Sequence, residues 1–364
     1  MEQKQSYNPY VITSVNELSA QEAKSQIKKC STRNSLLLLT FFVLMILSSY
    51  LLGKTKISGE STELLYYLFI YVLAFPLVLF LGNRGQKNTV KTYFQKPKVD
   101  GKWWFNWSCI AFTCGILINI VGLFVFRVID IVNQNNGSDE LNYMIIAPSE
   151  NSVFYLICFF LAIGICAPIF EELLLRGSCL THTLPYGQWF SFIVIGVSFG
   201  LLHGNFQQMF YATVIGMFNG FIAFKAKSII PAIGTHMFVN IPNAILTICL
   251  SKIDVDKLTK LSETSSDGSY TTEQANDLMK FVGDNSFVMF ILFAVFLFIV
   301  VIFFMGLSKL IRKLRFYRDE FICGNTCPVL SNGQKILAYL SSPATIVLFA
   351  ILIFYAFAFA IFGR

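Results

Sequence analysis

The sequence predicts an all-α, polytopic transmembrane helix bundle of about eight to nine spans, and three observations predict it. Hydrophobic residues make up 55% of the 364 and charged residues only 13%, about half of the ~25% charge carried by a water-soluble domain. Phenylalanine alone occurs 38 times. The apolar residues gather in uninterrupted runs close to the ~17–25 residues that a helix needs to cross hydrocarbon. A formal net charge of +7 raises the question of nucleic acid. The cations, however, sit at the edges of apolar runs, where they anchor helices to a membrane face, so no nucleic-acid function is read.

In chain order, residues 1–34 form a polar, cytoplasmic N-terminal tail, in which Ser14 and Glu17 are spaced as a capping box before a short helix through Lys29. This stretch is too long and polar for a secretory leader, and the first apolar run lacks a small-residue cleavage site, so the first span is expected to be retained. Candidate spans follow at 35–53, 64–82, 106–128, 153–175, 188–204, 207–224, 229–250, 287–308 and 338–362. The fifth and sixth are short and separated only by Gly204, Asn205 and Phe206, which also suits one re-entrant hairpin. The organisation read from this is N-terminal spans over 35–150, a core with the chemistry over 151–250, an extracellular acidic loop over 251–286 and C-terminal spans over 287–364. The loop has seven Asp and Glu and one expected helix near Thr272–Val282.

Orientation follows from Lys and Arg alone. With the first residue inside, 20 of them fall in cytoplasmic pieces and eight on the other side, which places the N-terminus in the cytoplasm and the C-terminus outside. Most of the nine cysteines lie inside apolar runs as small buried hydrophobes, and no disulfide framework follows. Cys323 and Cys327 flank Gly-Asn-Thr, a looser gap than that of a zinc knuckle.

An ionisable group inside a span costs about 2.5–3.5 kcal/mol on insertion scales and so needs a reason. Glu171, Glu172 and Arg176 lie near the expected cytoplasmic end of the fourth span, just after Pro168, where a bend is expected. Glu172 and Arg176 are i,i+4 neighbours that can neutralise each other, whereas Glu171 is turned by about 100° and left free. His203 follows Phe199 by one turn, and His236 precedes Asn240 by one turn on the same helix face. Of the three histidines, only His182 lies in a polar stretch, where solvation suffices to explain it. A free carboxylate, two imidazoles and a carboxamide from three helices suffice to hydrolyse an amide. The carboxylate takes a proton from water, the imidazoles hold that water or bind Zn²⁺ with the carboxylate, and the carboxamide donates to the oxyanion. By composition alone, a proton- or ion-coupled carrier uses the same groups. Other hydrolase strings fail: there is no His-Glu-x-x-His, and Gly196-Val-Ser198-Phe-Gly200 lies within an apolar helix instead of a strand-to-helix turn. Those glycines are read as packing residues.

The strings Glu171-Glu172-x-x-x-Arg176, Phe199-x-x-x-His203 and His236-x-x-x-Asn240 resemble, in order and gap, the three motifs of the CAAX protease and bacteriocin-processing (Abi) family of intramembrane peptidases, over roughly residues 153–250. The resemblance implies a helical bundle with a polar intramembrane cavity open to the cytosol. It further implies Glu171 as general base, Glu172 and Arg176 as a supporting ion pair, His203 and His236 as imidazoles that position water or a metal, Asn240 as oxyanion donor and Phe199 as packing for the site. If Zn²⁺ is bound, Glu171, His203 and His236 are the expected ligands. The Lys/Phe/Ile-rich composition and the ninth span look bacterial, so the expected substrate is a membrane-associated peptide or protein in bacteriocin maturation or self-immunity, and not a prenylated chain. A non-catalytic immunity or regulatory protein on the same scaffold is the competing expectation.

Overall fold

A computed structural model describes residues 8–12, 18–55, 57, 59–85, 90–132, 152–254, 257, 260, 271–316, 318–321, 323 and 326–362. Among these there are helices and no strand. We number the longer ones α1 (Ala20–Gly53), α2 (Ser61–Asn83), α3 (Gly101–Val132), α4 (Val153–Tyr186), α5 (Gln188–Leu202), α6 (Phe206–Ala226), α7 (Ile230–Leu250), α8 (Thr272–Asp284), α9 (Ser286–Phe316), α10 (Asn332–Leu340) and α11 (Pro343–Phe362). Seven described helices are long and apolar enough to cross a membrane, and α10 with α11, bent by 81° at the break between Leu340 and Pro343, make an eighth if the pair is one span. The remaining apolar run, 188–204, is α5. Its 15 residues reach only ~22 Å at 1.5 Å per residue, short of a ~30 Å hydrocarbon core.

Several boundaries differ from those expected. The first helix is not a short one ending at Lys29: it runs unbroken from Ala20 to Gly53. Its capping box is formed by Ser19 and Glu22, and Ser14 and Glu17 lie outside the described residues. The polar stretch between Lys29 and the apolar run does not break the helix because neighbouring elements satisfy it. Ser31 donates to the carbonyl of Tyr339 at 2.6 Å, Asn34 to that of Cys179 at 3.2 Å, and Arg33 to that of Gly82. The helix expected in the acidic loop is present as α8, with Thr271 and Gln274 as its capping box.

The segment 153–250 folds at the centre. Helices α5 and α6 form an antiparallel hairpin, turned at Gly204 (φ +67°) and restarted by Asn205, whose side chain accepts from the amide of Gln208 at 2.8 Å. Only glycine allows their closeness. A Cβ on Gly196 would stand 2.9 Å from the Thr213 carbonyl, and one on Gly200 would overlap the Thr213 hydroxyl and the Met209 carbonyl. The packing role read for these glycines fits this geometry, and Ser198 lies buried within α5, donating to the Val194 carbonyl at 2.8 Å.

Around this hairpin, α3 packs on α6 and α9 on α3. Trp104 of α3 ties α7 by donating to the Pro231 carbonyl at 2.9 Å. On the opposite flank α1 packs against α10 and α11. Phe287, Phe290, Phe293 and Phe296 repeat along α9 at a spacing of three and are 62–74% exposed, a lipid-facing stripe that leaves water no favourable contact.

Candidate active site

The fourth span does not end at residue 175. Helix α4 continues to Tyr186, so Glu171 and Glu172 lie near its middle and not at its end. Arg176, which marked the expected boundary, is neutralised by its neighbour and does not need to leave the bundle. The bend expected at Pro168 takes the form of a π-helical stretch, Leu161–Cys166, just before it, and a second, Leu173–Leu180, follows the glutamates. Proline removes an i→i−4 hydrogen bond, and a wider turn accommodates that loss. The carboxylates thus sit on a six-residue α-helical segment, Ala167–Glu172, between two widened turns.

Side chains from other helices seize the carbonyls of the first widened turn. Tyr71 of α2 donates to that of Ala162 at 3.0 Å, and Asn240 of α7 donates to that of Ile163 at 3.2 Å. These bonds fix the rotation of α4, and with it the direction in which each glutamate points.

Glu172 is fully buried and is the hub of the site. Its Oε1 pairs with the Arg176 guanidinium at 3.0 Å, accepts from Nδ1 of His236 at 2.9 Å, and accepts from Nδ2 of Asn219 at 2.9 Å. Arg176, also fully buried, donates to the Gly216 carbonyl at 2.8 Å and lies 4.9 Å from the centroid of the Phe199 ring. Glu171 is different. Its side chain keeps 27% of its surface, and its Oε2 stands 3.7 Å from Nε2 of His236. One of two adjacent acids is locked and the other is open, as the helical period requires.

The imidazoles are oriented alike. The Glu172 carboxylate can only accept, which keeps the proton of His236 on Nδ1 and leaves the Nε2 lone pair toward Glu171. His203, capping α5, has its Nδ1 2.9 Å from the Phe199 carbonyl, another acceptor, so its Nε2 is also the free lone pair. The Phe199 ring meets both imidazoles edge-on, with centroids 4.8 and 5.5 Å away. His182 is not a solvated turn residue: it lies half-buried in α4, with Nδ1 2.5 Å from the Ser178 carbonyl.

Sequence reasoning passed over Asn219. The available signal was a carboxamide in an apolar run between Gly216 and Gly220, where a polar group needs a partner. Its partner, Glu172, is 47 residues away, beyond the reach of a spacing rule. Among the described residues no three of His, Cys, Asp and Glu form a group that could hold a metal ion. The chemistry below is derived from the chain's own side chains.

Residues 153–242 match the family model described as Type II CAAX prenyl endopeptidase Rce1-like, which bears out the resemblance read from the motifs. The matched segment contains Glu171, Glu172, Arg176, His203, Asn219, His236 and Asn240. No curated protein and no solved structure matches the chain.

Proposed function

We propose that the protein is an intramembrane endopeptidase that hydrolyses a peptide bond in a membrane-associated peptide or protein, with Glu171 as the base that activates water. The observation that carries this reading is the contrast between the two glutamates. Glu172 is held through Oε1 by a cation, an imidazole and a carboxamide, while Glu171 is open and 3.7 Å from an imidazole nitrogen. A base must be unencumbered and near a group that shares the water. Nε2 of His236, held by Glu172 through the other ring nitrogen, accepts one hydrogen of that water while Glu171 takes the second and delivers it to the leaving amine. His203 offers a further acceptor for orienting the water. Asn240 has one amide hydrogen committed to Ile163 and a second for the oxyanion that forms on the scissile carbonyl.

The match to a CAAX prenyl endopeptidase family supports a protease acting at a membrane. The Lys/Phe/Ile-rich composition supports a bacterial cell membrane, the distribution of Lys and Arg a cytoplasmic N-terminus, and the resemblance carried by the three motifs implies a role in peptide or bacteriocin maturation or self-immunity. The test uses purified protein in liposomes with two probes, an S-farnesylated CAAX peptide and an unmodified membrane-anchored peptide, and products identified by mass. Cleavage by the wild type and none by Glu171→Ala or His203→Ala, with insertion intact, is the expected result. A Glu171→Ala protein that still cleaves overturns the reading. Chelation with EDTA is expected to leave the rate unchanged, and a loss of activity restored by Zn²⁺ would contradict the metal-free chemistry.

A further inference from the structure

One side chain beneath the site comes from outside the segment matched to the peptidase family. Tyr10 lies ahead of α1, yet it is fully buried in the main hydrophobic core. Its backbone turn is an Asx turn: Oδ1 of Asn8 accepts from the amide of Tyr10 at 2.9 Å, and the amide of Val11 donates to the Asn8 carbonyl at 3.1 Å. Lys227 pins the turn at two points. Its carbonyl accepts from Nδ2 of Asn8 at 3.0 Å, and its Nζ donates to the Tyr10 carbonyl at 2.7 Å. Lys227 caps α6 with φ +55°, the one non-glycine residue with positive φ among those described. Such a conformation is sparsely populated and persists where surroundings enforce it.

From this anchored turn the Tyr10 hydroxyl donates to the carbonyl of Arg176 at 3.3 Å, inside the second widened turn of α4. The next residue is gripped from another side, since a Cβ on Gly177 would come within 2.7 Å of the Tyr93 ring. The backbone at Arg176 and Gly177 is therefore held by two tyrosines, while the Arg176 side chain reaches Glu172 and Gly216.

We propose that the segment Asn8–Ile12 is a strap that completes the hydrolytic site, with Tyr10 as a positioning residue for the chain of contacts Arg176–Glu172–His236. The inference rests on the hydrolytic reading, because it assigns the strap to the orientation of Nε2 of His236. By holding the Arg176 carbonyl, Tyr10 fixes the guanidinium that fixes Glu172, and Glu172 in turn sets the imidazole facing Glu171.

The chain has three histidines, so histidine-selective ¹⁵N spectra of the full-length protein in micelles resolve His236 by comparison with His236→Ala. Tyr10→Phe removes only the hydroxyl, and Lys227→Gly removes the ammonium while tolerating the positive φ. Each is expected to displace the Nδ1 resonance of His236 and leave that of His182 in place, with the unfolding midpoint little changed. On whichever of the two peptide probes the wild type cleaves, both variants are expected to lower kcat with KM unchanged. An unmoved His236 resonance in Tyr10→Phe overturns the strap. So does a fall in kcat that tracks only the loss of folded protein. Failure of the hydrolytic reading is seen separately, as cleavage by Glu171→Ala.

Discussion

At the scale of the residue, Glu171 and Glu172 are neighbours in sequence with different surroundings and different proposed roles, and substitution separates them. Glu172→Ala leaves the Arg176 guanidinium, fully buried, without its counter-charge, which costs about 3–5 kcal/mol of stability. Glu171→Ala removes a partly exposed group with one distant partner and is expected to cost less than about 1 kcal/mol. Unfolding in detergent measures both, and equal losses would contradict the division of roles. Asn219→Leu strips one of three partners from Oε1 of Glu172 and is expected to cost about 1–3 kcal/mol in the same assay; a neutral result would deny Asn219 its place in the hub. The ion pair between Glu172 and Arg176 and the shared face of His236 and Asn240 were legible because an i,i+4 spacing is written in the sequence. Asn219, Tyr71 and Tyr10 were not, because their bonds join residues far apart in the chain and depend on how the helices pack.

At the scale of the element, the shortness of α5 decides where His203 lies. A span of full length would carry His203 away from the glutamates, whereas ~22 Å of helix returns the chain at Gly204 while Phe199 still touches both imidazoles. The hairpin depends on its glycine seam. Gly200→Ala drives a methyl into Thr213 and Met209 and is expected to destabilise by about 1–3 kcal/mol. Gly53→Ala meets nothing within 4 Å and is expected to be near neutral. Equal unfolding midpoints for the two variants would contradict the seam. The apolar runs announced the helices correctly. Their ends were less legible, because hydropathy registers a charge such as Arg176 as a boundary even where a buried partner lets the helix continue.

At the scale of the whole molecule, the fold is a bundle whose outer helices present apolar side chains to lipid and whose central segment, 153–250, gathers the polar groups. The proposed orientation follows from the bias in Lys and Arg, which remains 19 against eight once Arg176, buried within α4, is left out of the 20. Single cysteines at Lys102 and Lys257, in a background without other cysteines, test it with an impermeant thiol reagent. Labelling from the cytoplasmic side at Lys102 and from the outer side at Lys257 is expected, and the reverse pattern would contradict the orientation. The class, the bundle and the chemistry-bearing segment were legible because membrane burial is recorded in composition and the three motifs keep fixed gaps. The strap ahead of α1 was not, since a polar tail whose two tyrosines are Tyr7 and Tyr10 reads as solvated until the fold supplies the pocket that takes Tyr10.

The most direct measurement is the single-turnover rate of peptide cleavage by Glu171→Gln beside that of the wild type, in the same liposomes and with the same insertion. Gln keeps the shape and removes the base, so a fall of about 10²–10⁴-fold is expected from a group that carries the proton. A Glu171→Gln protein that cleaves at the wild-type rate would show that the open carboxylate beside His236 is not the base.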